Sequence, residues 1–187
     1  MKLYLIRHGQ SAANANPSVY FTTPDSHIEL TDLGREQATN CGVELAKKLE
    51  KIHGASLYTS PYKRTRNTTE LICQQVPDLK VRESALLREQ EHPMHKSHRE
   101  RDIFLLRRKN SKETFFYKET GYESYCNVVD RISVFINNLR LTHKKDDHIV
   151  IVAHEIVINA FIMLIDGLPY EEMRQSVENC SIIEREL

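Results

Sequence analysis

The sequence predicts an α/β fold, a three-layer sandwich in which a mostly parallel central sheet carries helices on both faces. Strand-like and helix-like segments alternate along the chain, as they do when helices connect parallel strands. One segment, His148–Ala153, is almost wholly apolar, which is typical of a central strand covered on both faces. In such sheets ligands bind beyond the carboxyl ends of the strands, so the residues that follow each strand are the candidates for a functional site.

Length and composition predict a single domain, residues 1–187, and limit its partners. A chain of 187 residues with 40% hydrophobic content can close one sizeable core. Lysine plus arginine and aspartate plus glutamate number 26 each, so no overall positive charge is available to attract nucleic acid or an anionic membrane. No segment has the roughly 20 apolar residues that cross a bilayer, and the start lacks a signal-peptide pattern. We therefore expect a soluble, cytoplasmic protein without a nucleic-acid or membrane partner.

Hydrophobic periodicity and turn residues predict the secondary structure. The expected elements in chain order are a strand at 2–6, a helix at 31–53, a strand at 55–59, a helix at 60–75, a strand at 79–87, a helix at 122–141, a strand at 148–153, a helix at 155–165 and a strand at 180–185. Ser60 should cap its helix, with Pro61 at the first helical position. His53 and Gly54 should end the helix before it. Residues 88–119 are polar and irregular, and we expect an excursion that covers the site.

The ends of four predicted strands carry the chemically interesting side chains. The first strand ends at Arg7 and His8, the second leads into Arg64, the third ends near Glu89, and the buried strand ends at His154. Because the carboxyl ends of parallel strands meet at one edge of a sheet, two imidazoles, two guanidiniums and a carboxylate should converge there.

The segments around these residues resemble the motifs of the histidine phosphatase superfamily, the phosphoglycerate mutase-like proteins. Residues 7–14, RHGQSAAN, resemble the R-H-G-x-S-x-x-N signature. Further similarities, in the order the family has them, are 30–38 with L-T-x-x-G-x-x-Q-A, 60–64 with S-P-x-x-R, 87–89 with L-x-E, 121–131 with a G-E-S…R segment that carries one extra residue here, 152–154 with the strand that ends in the second histidine, and 179–182 with the last strand. The resemblance implies a phosphoglycerate mutase-like fold and phosphoryl transfer through a phosphohistidine intermediate.

The residue types suit this chemistry. Arg7 and Arg64 can each bind two oxygens of a phosphate and stay charged at any working pH. His8, neutral on one ring nitrogen, can attack phosphorus as a nucleophile. Glu89 is the candidate acid for the leaving oxygen and later the base for water, so crowding or a nearby phosphate should raise its pKa. For His154, the resemblance implies donation to an oxygen of the phosphate.

The loop after the first strand should hold the phosphate. We expect Asn14 and the backbone amides of Gly9, Gln10 and Ser11 to complete the anion cradle. Neither a metal ion nor another cofactor is expected, because arginines and histidines supply the positive field. A metal site is the less favoured interpretation of the evenly spaced His92, His95 and His98, since a proline interrupts them and the segment has no helix signal.

The predicted function is that of a histidine acid phosphatase-type hydrolase, a phosphomonoesterase that acts on a phosphorylated small molecule or a phosphoprotein. The alternatives are a mutase-type transfer to another hydroxyl of phosphoglycerate, and a catalytically weak phosphate-binding relative. The last is suggested by Glu155, which follows His154 where most family members carry glycine. Glu155 either points outward from a helix start or lowers the activity. Glu91 is the second candidate for the acid, and the basic residues within 99–109 form either a solvated face or a clamp for a second anionic group.

Overall fold

The structure is a computed structural model that describes residues 1–50, 52, 54–110, 114–172 and 175–187. Within these residues the central sheet has five strands: β1 Lys2–Arg7, β2 Ser56–Thr59, β3 Lys80–Glu83, β4 His148–Ala153 and β5 Ile182–Glu186. Their order is β3-β2-β4-β1-β5, with parallel pairing everywhere except between β1 and β5. The predicted α/β fold with a mostly parallel sheet is confirmed.

Helices cover both faces of this sheet. The helices of the described residues are α1 Ala12–Ala15, α2 Asp32–Lys48, α3 Lys63–Gln75, α4 His98–Asn110, α5 Tyr125–Thr142 and α6 Glu155–Asp166. One hydrophobic cluster joins α2 and α3 to one face, and another joins α5 and α6 to the opposite face. None of the helices in the described ranges has the length and apolar character that crossing a membrane requires.

Alternating side chains of the central strands supply the two hydrophobic clusters. In β4, Ile149 and Ile151 pack toward α5 and α6, whereas Val150 and Val152 pack toward α2 and α3. All four side chains are fully buried, and each such burial stabilises the fold by about 1.5–3 kcal/mol. This double burial is the reason why the strand is apolar at nearly every position.

Three predicted helix boundaries are wrong. Helix α5 begins at Tyr125 and not at residue 122, because Ser124 caps it. Helix α2 ends at Lys48, because the chain turns at Leu49 and the amide of Ile52 bonds to the Leu49 carbonyl at 2.8 Å. The predicted stop at His53 lies outside the described residues. Helix α3 begins at Lys63, and Ser60 does not cap it.

The segment from the third strand to residue 119 also differs from the prediction. β3 ends at Glu83, and a 3₁₀ turn, Ala85–Leu87, follows where the prediction continued the strand. The excursion that we expected to be irregular contains α4, a helix of 13 residues. Its polar residues occur on every side, so the hydrophobic period that reveals a helix is nearly lost.

Candidate active site

The register of β1 and β4 brings the two histidines together. Arg7 lies opposite Ala153 in this parallel pair, and the amide of His8 donates to the Ala153 carbonyl at 3.0 Å. The residues immediately after the two strands are therefore neighbours. The His8 and His154 rings lie 5.3 Å apart between centroids, at an angle of 65°. The predicted convergence of the two imidazoles is thus present in the structure.

His8 is held as a neutral imidazole with a defined tautomer. Its Nδ1–H donates to the Gly9 carbonyl at 2.7 Å, and its Nε2 accepts from Nε of Arg64 at 3.1 Å. The ring is 3% exposed, and burial together with the positive charge of Arg64 holds its pKa well below the usual value. Near neutral pH Nε2 consequently carries no proton, and its lone pair accepts the hydrogen bond from Nε of Arg64.

The His8 loop is fixed by a close backbone approach to the start of α2. A Cβ on Gly9 would lie 2.3 Å from the Gly34 carbonyl oxygen, and a Cβ on Gly34 would lie 2.1 Å from the Gln10 carbonyl oxygen. Both distances are sterically impossible, so both positions require glycine. Thr31 adds a hydrogen bond from its hydroxyl to the Gln10 side chain at 2.8 Å. His8 therefore lies on a loop that packs tightly against α2.

The backbone amides of this loop differ from the anion cradle that we expected. The Gly9 amide donates to the Thr68 hydroxyl at 3.1 Å, and the Gln10 amide donates to the Gln37 side chain at 2.8 Å. The Ser11 amide donates to Asn14 Oδ1 at 3.0 Å, in a capping box that starts α1. Since each amide has a protein acceptor, these groups position the loop.

Both arginines of the site contact carboxylates. Arg64 is 2% exposed, and its Nη1 and Nη2 donate to the two carboxylate oxygens of Asp25 at 2.9 and 3.3 Å. Nη2 of Arg7 lies 3.3 Å from Oε2 of Glu155, and its Nη1 donates to the Val177 carbonyl. Of the two alternatives for Glu155, an outward orientation is therefore excluded by this contact, and a lowered activity stays a prediction. The pairing of β1 with β4 places residues 7 and 155 side by side, and the opposite charges attract.

His154 is oriented by Ser60, which sequence reasoning had assigned only to a helix cap. The Ser60 hydroxyl accepts from the Tyr62 amide at 3.3 Å and lies 2.8 Å from Nε2 of His154. Its own hydrogen can therefore go to Nε2, which leaves the proton of the neutral ring on Nδ1. That Nδ1 is buried and has no hydrogen-bond partner among the described residues. Burial, followed by the charge of Arg64, lowers the pKa of His154 well below its usual value.

Glu89 lies beside this unpartnered nitrogen. Its Oε2 is 3.9 Å from Nδ1 of His154, and its side chain is 18% exposed. Burial raises the pKa of Glu89 to about 7, although the charge of Arg64 opposes the shift. By contrast, Glu91 is 47% exposed and contacts Arg88 at 3.1 Å. These differences favour Glu89 over Glu91 as an acid.

A buried ion pair fixes the segment that carries Glu89. Nε and Nη2 of Arg131 donate to the two carboxylate oxygens of Glu123 at 3.0 and 3.1 Å. Arg131 also donates to the backbone carbonyls of Leu86 and Glu89. The Gln90 side chain in turn donates to the Glu123 carbonyl at 2.9 Å. Two residues of the G-E-S…R segment, Glu123 and Arg131, thus hold the backbone of the candidate acid in place.

A cleft of about 550 Å³ opens next to Glu89. Its walls include Asp25 and Arg101, together with the apolar or aromatic side chains of Tyr20, Tyr62, Met94, Phe104, Leu105 and Ile156. Helix α4 supplies part of one wall, so the excursion does border the site. A cleft of this size is in the range that holds a small organic molecule.

The three evenly spaced histidines of this region each contact an aromatic ring. His92 and His95 lie against the ring of Phe104, with centroid distances of 5.7 and 5.2 Å. His98 packs edge-on against Phe21 at 4.7 Å. In the part of the chain that the structure describes, no three histidine, cysteine, aspartate or glutamate side chains form a group that could hold a metal ion.

Comparison with known proteins gives the family. The sequence profile of the histidine phosphatase superfamily (branch 1) matches residues 3–187. The chain belongs to this superfamily. Among solved structures, a phosphoglycerate mutase from Bacillus anthracis superposes with a TM-score of 0.74 at 21% sequence identity, over 98% of this chain and 86% of the mutase chain. The predicted phosphoglycerate mutase-like fold is therefore confirmed.

Two curated relatives illustrate the range of the family. The chain is 31% identical over 180 residues to the phosphoglycerate mutase-like protein AT74 of Arabidopsis thaliana, a match that covers 87% of this chain and 56% of the plant protein. It is 29% identical over 181 residues to the 5''-phosphoribostamycin phosphatase of Niallia circulans, with 94% of this chain and 83% of that enzyme covered. The chain thus spans little more than half the length of the plant relative. A phosphatase or mutase-type enzyme is what this family membership supports.

The residues that sequence reasoning missed are mostly supports of the site. Asp25, Thr68 and Gln37 each bond to the His8 loop or to Arg64, yet they lie in a polar loop or on helices where such residues are common. A signal was present for the contact between Arg7 and Glu155, because adjacent parallel strands place the residues after their ends together.

Proposed function

We propose that the chain is a phosphomonoesterase, a histidine acid phosphatase-type hydrolase that transfers a phosphoryl group to His8 and then to water. The observation that carries this proposal is the tautomer of His8, in which Nδ1–H donates to the Gly9 carbonyl at 2.7 Å and Nε2 accepts from Nε of Arg64 at 3.1 Å. A neutral nucleophile beside a permanent cation meets the requirements of attack on an anionic phosphorus centre.

In the first step a bond forms between Nε2 of His8 and phosphorus, in place of the hydrogen bond that Nε2 accepts from Arg64, while the bond from phosphorus to the ester oxygen breaks. The Gly9 carbonyl stabilises the positive charge that develops on the imidazole. Arg7 and Arg64 neutralise the oxygens of the phosphoryl group. The leaving alkoxide takes the proton of Glu89, whose pKa of about 7 keeps about half of these carboxyl groups protonated at neutral pH.

In the second step Glu89, now a carboxylate, removes a proton from a water molecule. The oxygen of this water attacks the phosphoryl group, the bond to Nε2 of His8 breaks, and inorganic phosphate leaves. The Nδ1–H of His154 can donate to a phosphoryl oxygen in both steps, which would satisfy a buried donor that lacks a partner among the described residues.

The cleft supports a phosphorylated small molecule as the substrate. Its volume of about 550 Å³ and its largely apolar walls suit an organic leaving group. The phosphatase from Niallia circulans is named for such a substrate, a phosphorylated ribostamycin. A phosphorylated protein side chain is the second candidate. The balanced charge of the sequence argues against a nucleic-acid partner, and a cytoplasmic location is part of the proposal.

Two specific observations bear on the other candidate functions. Arg101 is the only lysine or arginine among the residues that line the cleft in the described part of the chain, which provides little charge for the carboxylate of a phosphoglycerate and ranks mutase activity second. The contact of Glu155 with Arg7 favours weak phosphate binding, because it occupies a guanidinium that the phosphate needs.

Hydrolysis of p-nitrophenyl phosphate from about pH 5 to about pH 8 tests the proposal. We expect turnover by the wild type that His8→Ala abolishes. His148→Ala is the matched control and should stay active, because His148 lies at the amino-terminal end of β4, away from the site. Turnover that survives His8→Ala contradicts the proposal.

Two further results would select the alternatives. Isomerisation of phosphoglycerate that exceeds its hydrolysis would place the chain among the mutases. Binding of inorganic phosphate without turnover of any ester would indicate a phosphate-binding relative.

A further inference from the structure

The guanidiniums of Arg7 and Arg64, which would bind the phosphoryl group, each contact an acidic side chain. Asp25 contacts Arg64 through both carboxylate oxygens, at 2.9 and 3.3 Å, and its backbone carbonyl accepts from Nη1 of Arg64 at 2.6 Å. Glu155 contacts Nη2 of Arg7 at 3.3 Å. A carboxylate and a phosphate offer guanidinium the same pair of oxygens, so each acidic side chain occupies a position that a phosphate would need.

The charges of these four side chains cancel. Two arginines supply the positive charge, and Asp25 and Glu155 supply an equal negative charge. His8 and His154 add nothing near neutral pH, because their pKa values lie well below the usual value. A phosphate dianion that entered this arrangement unchanged would meet no net attraction and two repulsive neighbours.

The two acidic side chains are exposed enough to leave. Asp25 lies in a 3₁₀ turn, Asp25–His27, with its side chain 32% exposed, and Glu155 is the first residue of α6, with its side chain 33% exposed. The arginines are more deeply held, since the side chain of Arg64 is 2% exposed and that of Arg7 is 15% exposed. Ion pairs with a partly exposed member are weak, so the carboxylates can move into water while the guanidiniums stay in place.

Arg7 also has a buried hydrogen-bond donor that is not satisfied within the described residues. Nε of Arg7 has no hydrogen-bond acceptor within the described residues, although it is buried. Leaving such a donor unsatisfied costs free energy, which a tetrahedral oxyanion at the site would recover. The arginine is therefore only partly satisfied by Glu155.

We propose that Asp25 and Glu155 are positioning residues that compete with phosphate for Arg64 and Arg7 and so set the affinity of the site for every phosphate dianion. This inference rests on the phosphoryl site proposed above. Substrate phosphate and product phosphate displace the same two carboxylates, so the competition raises KM and weakens product inhibition together. Because both dianions are affected alike, the rate of the chemical step is unchanged.

Calorimetric titration with inorganic phosphate at fixed ionic strength tests the proposal without requiring turnover. We expect the Kd of phosphate to fall about fivefold in Glu155→Gln, the affinity equivalent of one partly exposed ion pair, and at least as much in Asp25→Asn. Glu29→Gln is the matched control. Its carboxylate contacts Lys63 and Arg35 at the surface, so it loses the same charge without touching either arginine of the site.

Kinetics with p-nitrophenyl phosphate gives the second readout. KM and the inhibition constant of phosphate should fall together in Glu155→Gln, with kcat unchanged or lower if phosphate release limits turnover. Thermal unfolding shows whether Asp25→Asn keeps its fold. If Asp25→Asn does not fold, the proposal is judged from Glu155→Gln alone. Absence of turnover in the wild type would refute the proposed function and leave the titration valid.

Three titration results overturn the inference. They are a Kd for phosphate that is unchanged or larger in folded Glu155→Gln, an equal tightening in Glu29→Gln, and no detectable phosphate binding in the wild type and the variants.

Discussion

Replacement of Glu89 by glutamine tests the proposed acid, because it removes the proton and keeps the size of the side chain. Burial raises the pKa of Glu89 to about 7, and Oε2 lies 3.9 Å from His154. The raised pKa means that the acid form persists up to neutral pH and is lost as the pH rises further. The amide of glutamine cannot donate a proton to an alkoxide at any pH.

The magnitude follows from the pKa. With a value of about 7, about half of the molecules carry the proton at pH 7 and about one in eleven at pH 8, so kcat/KM of the wild type for an alkyl phosphate should fall about fivefold over that interval. Since the pKa of His8 is lowered, protonation of the nucleophile should not reduce the activity at about pH 6. Glu89→Gln should lower kcat for the alkyl ester by about 10²- to 10⁴-fold.

The assay compares glycerol phosphate with p-nitrophenyl phosphate. The nitrophenolate leaves without needing a proton, so Glu89→Gln should affect phosphorylation of the enzyme by this ester far less than phosphorylation by glycerol phosphate. Glu91→Gln serves as the control and should behave like the wild type with both esters. Equal losses with the two esters in a single-turnover measurement, or a larger loss in Glu91→Gln, would refute the assignment.

The remaining predictions concern supports of the site. Gly34→Ala should lower the free energy of unfolding by at least about 2 kcal/mol and abolish turnover, because its Cβ would lie 2.1 Å from the Gln10 carbonyl oxygen; thermal unfolding and the phosphatase assay measure both effects. Ser60→Ala should lower kcat/KM about tenfold or more with a stability loss of about 1 kcal/mol, because it removes the 2.8 Å hydrogen bond that orients His154.

Matched variants separate these effects from general damage. Asn40 lies on the exposed side of α2, so Asn40→Ala, the control for Gly34→Ala, should leave stability and turnover unchanged. Ser181→Ala is the control for Ser60→Ala, because it removes a surface hydroxyl that donates to the Glu178 carbonyl. A Gly34→Ala protein as stable and active as Asn40→Ala would show that the close approach is not required. Wild-type kinetics in Ser60→Ala would show that His154 is oriented by other contacts.

The sequence predicted the sheet well because burial on both faces leaves a strong pattern. β4 is apolar at nearly every position, and its predicted bounds match those observed, His148–Ala153. The ends of β1 and β4 were correct, and so was the convergence of His8 with His154, since parallel pairing determines where strand ends meet.

Side-chain hydrogen bonds could not be predicted where a residue has several possible partners in the fold. Ser60 had the sequence context of a helix cap, but its hydroxyl bonds to His154, a residue 94 positions away along the chain. Asp25 lies between a proline and a serine, which indicates only a turn. Its contact with Arg64 depends on how the loop after α1 crosses the site. Helix α4 carries too few apolar residues for its period to be visible.

Trapping of the phosphoenzyme tests the central claim most directly. The wild-type protein is mixed with a phosphate ester, quenched in alkali, which preserves phosphohistidine, and analysed by peptide mass spectrometry. The account predicts one phosphoryl group on the peptide that contains His8, which disappears on acid treatment and is absent from His8→Ala. Steady turnover with no phosphoryl group on that peptide at any quench time, or a stable modification elsewhere, would contradict it.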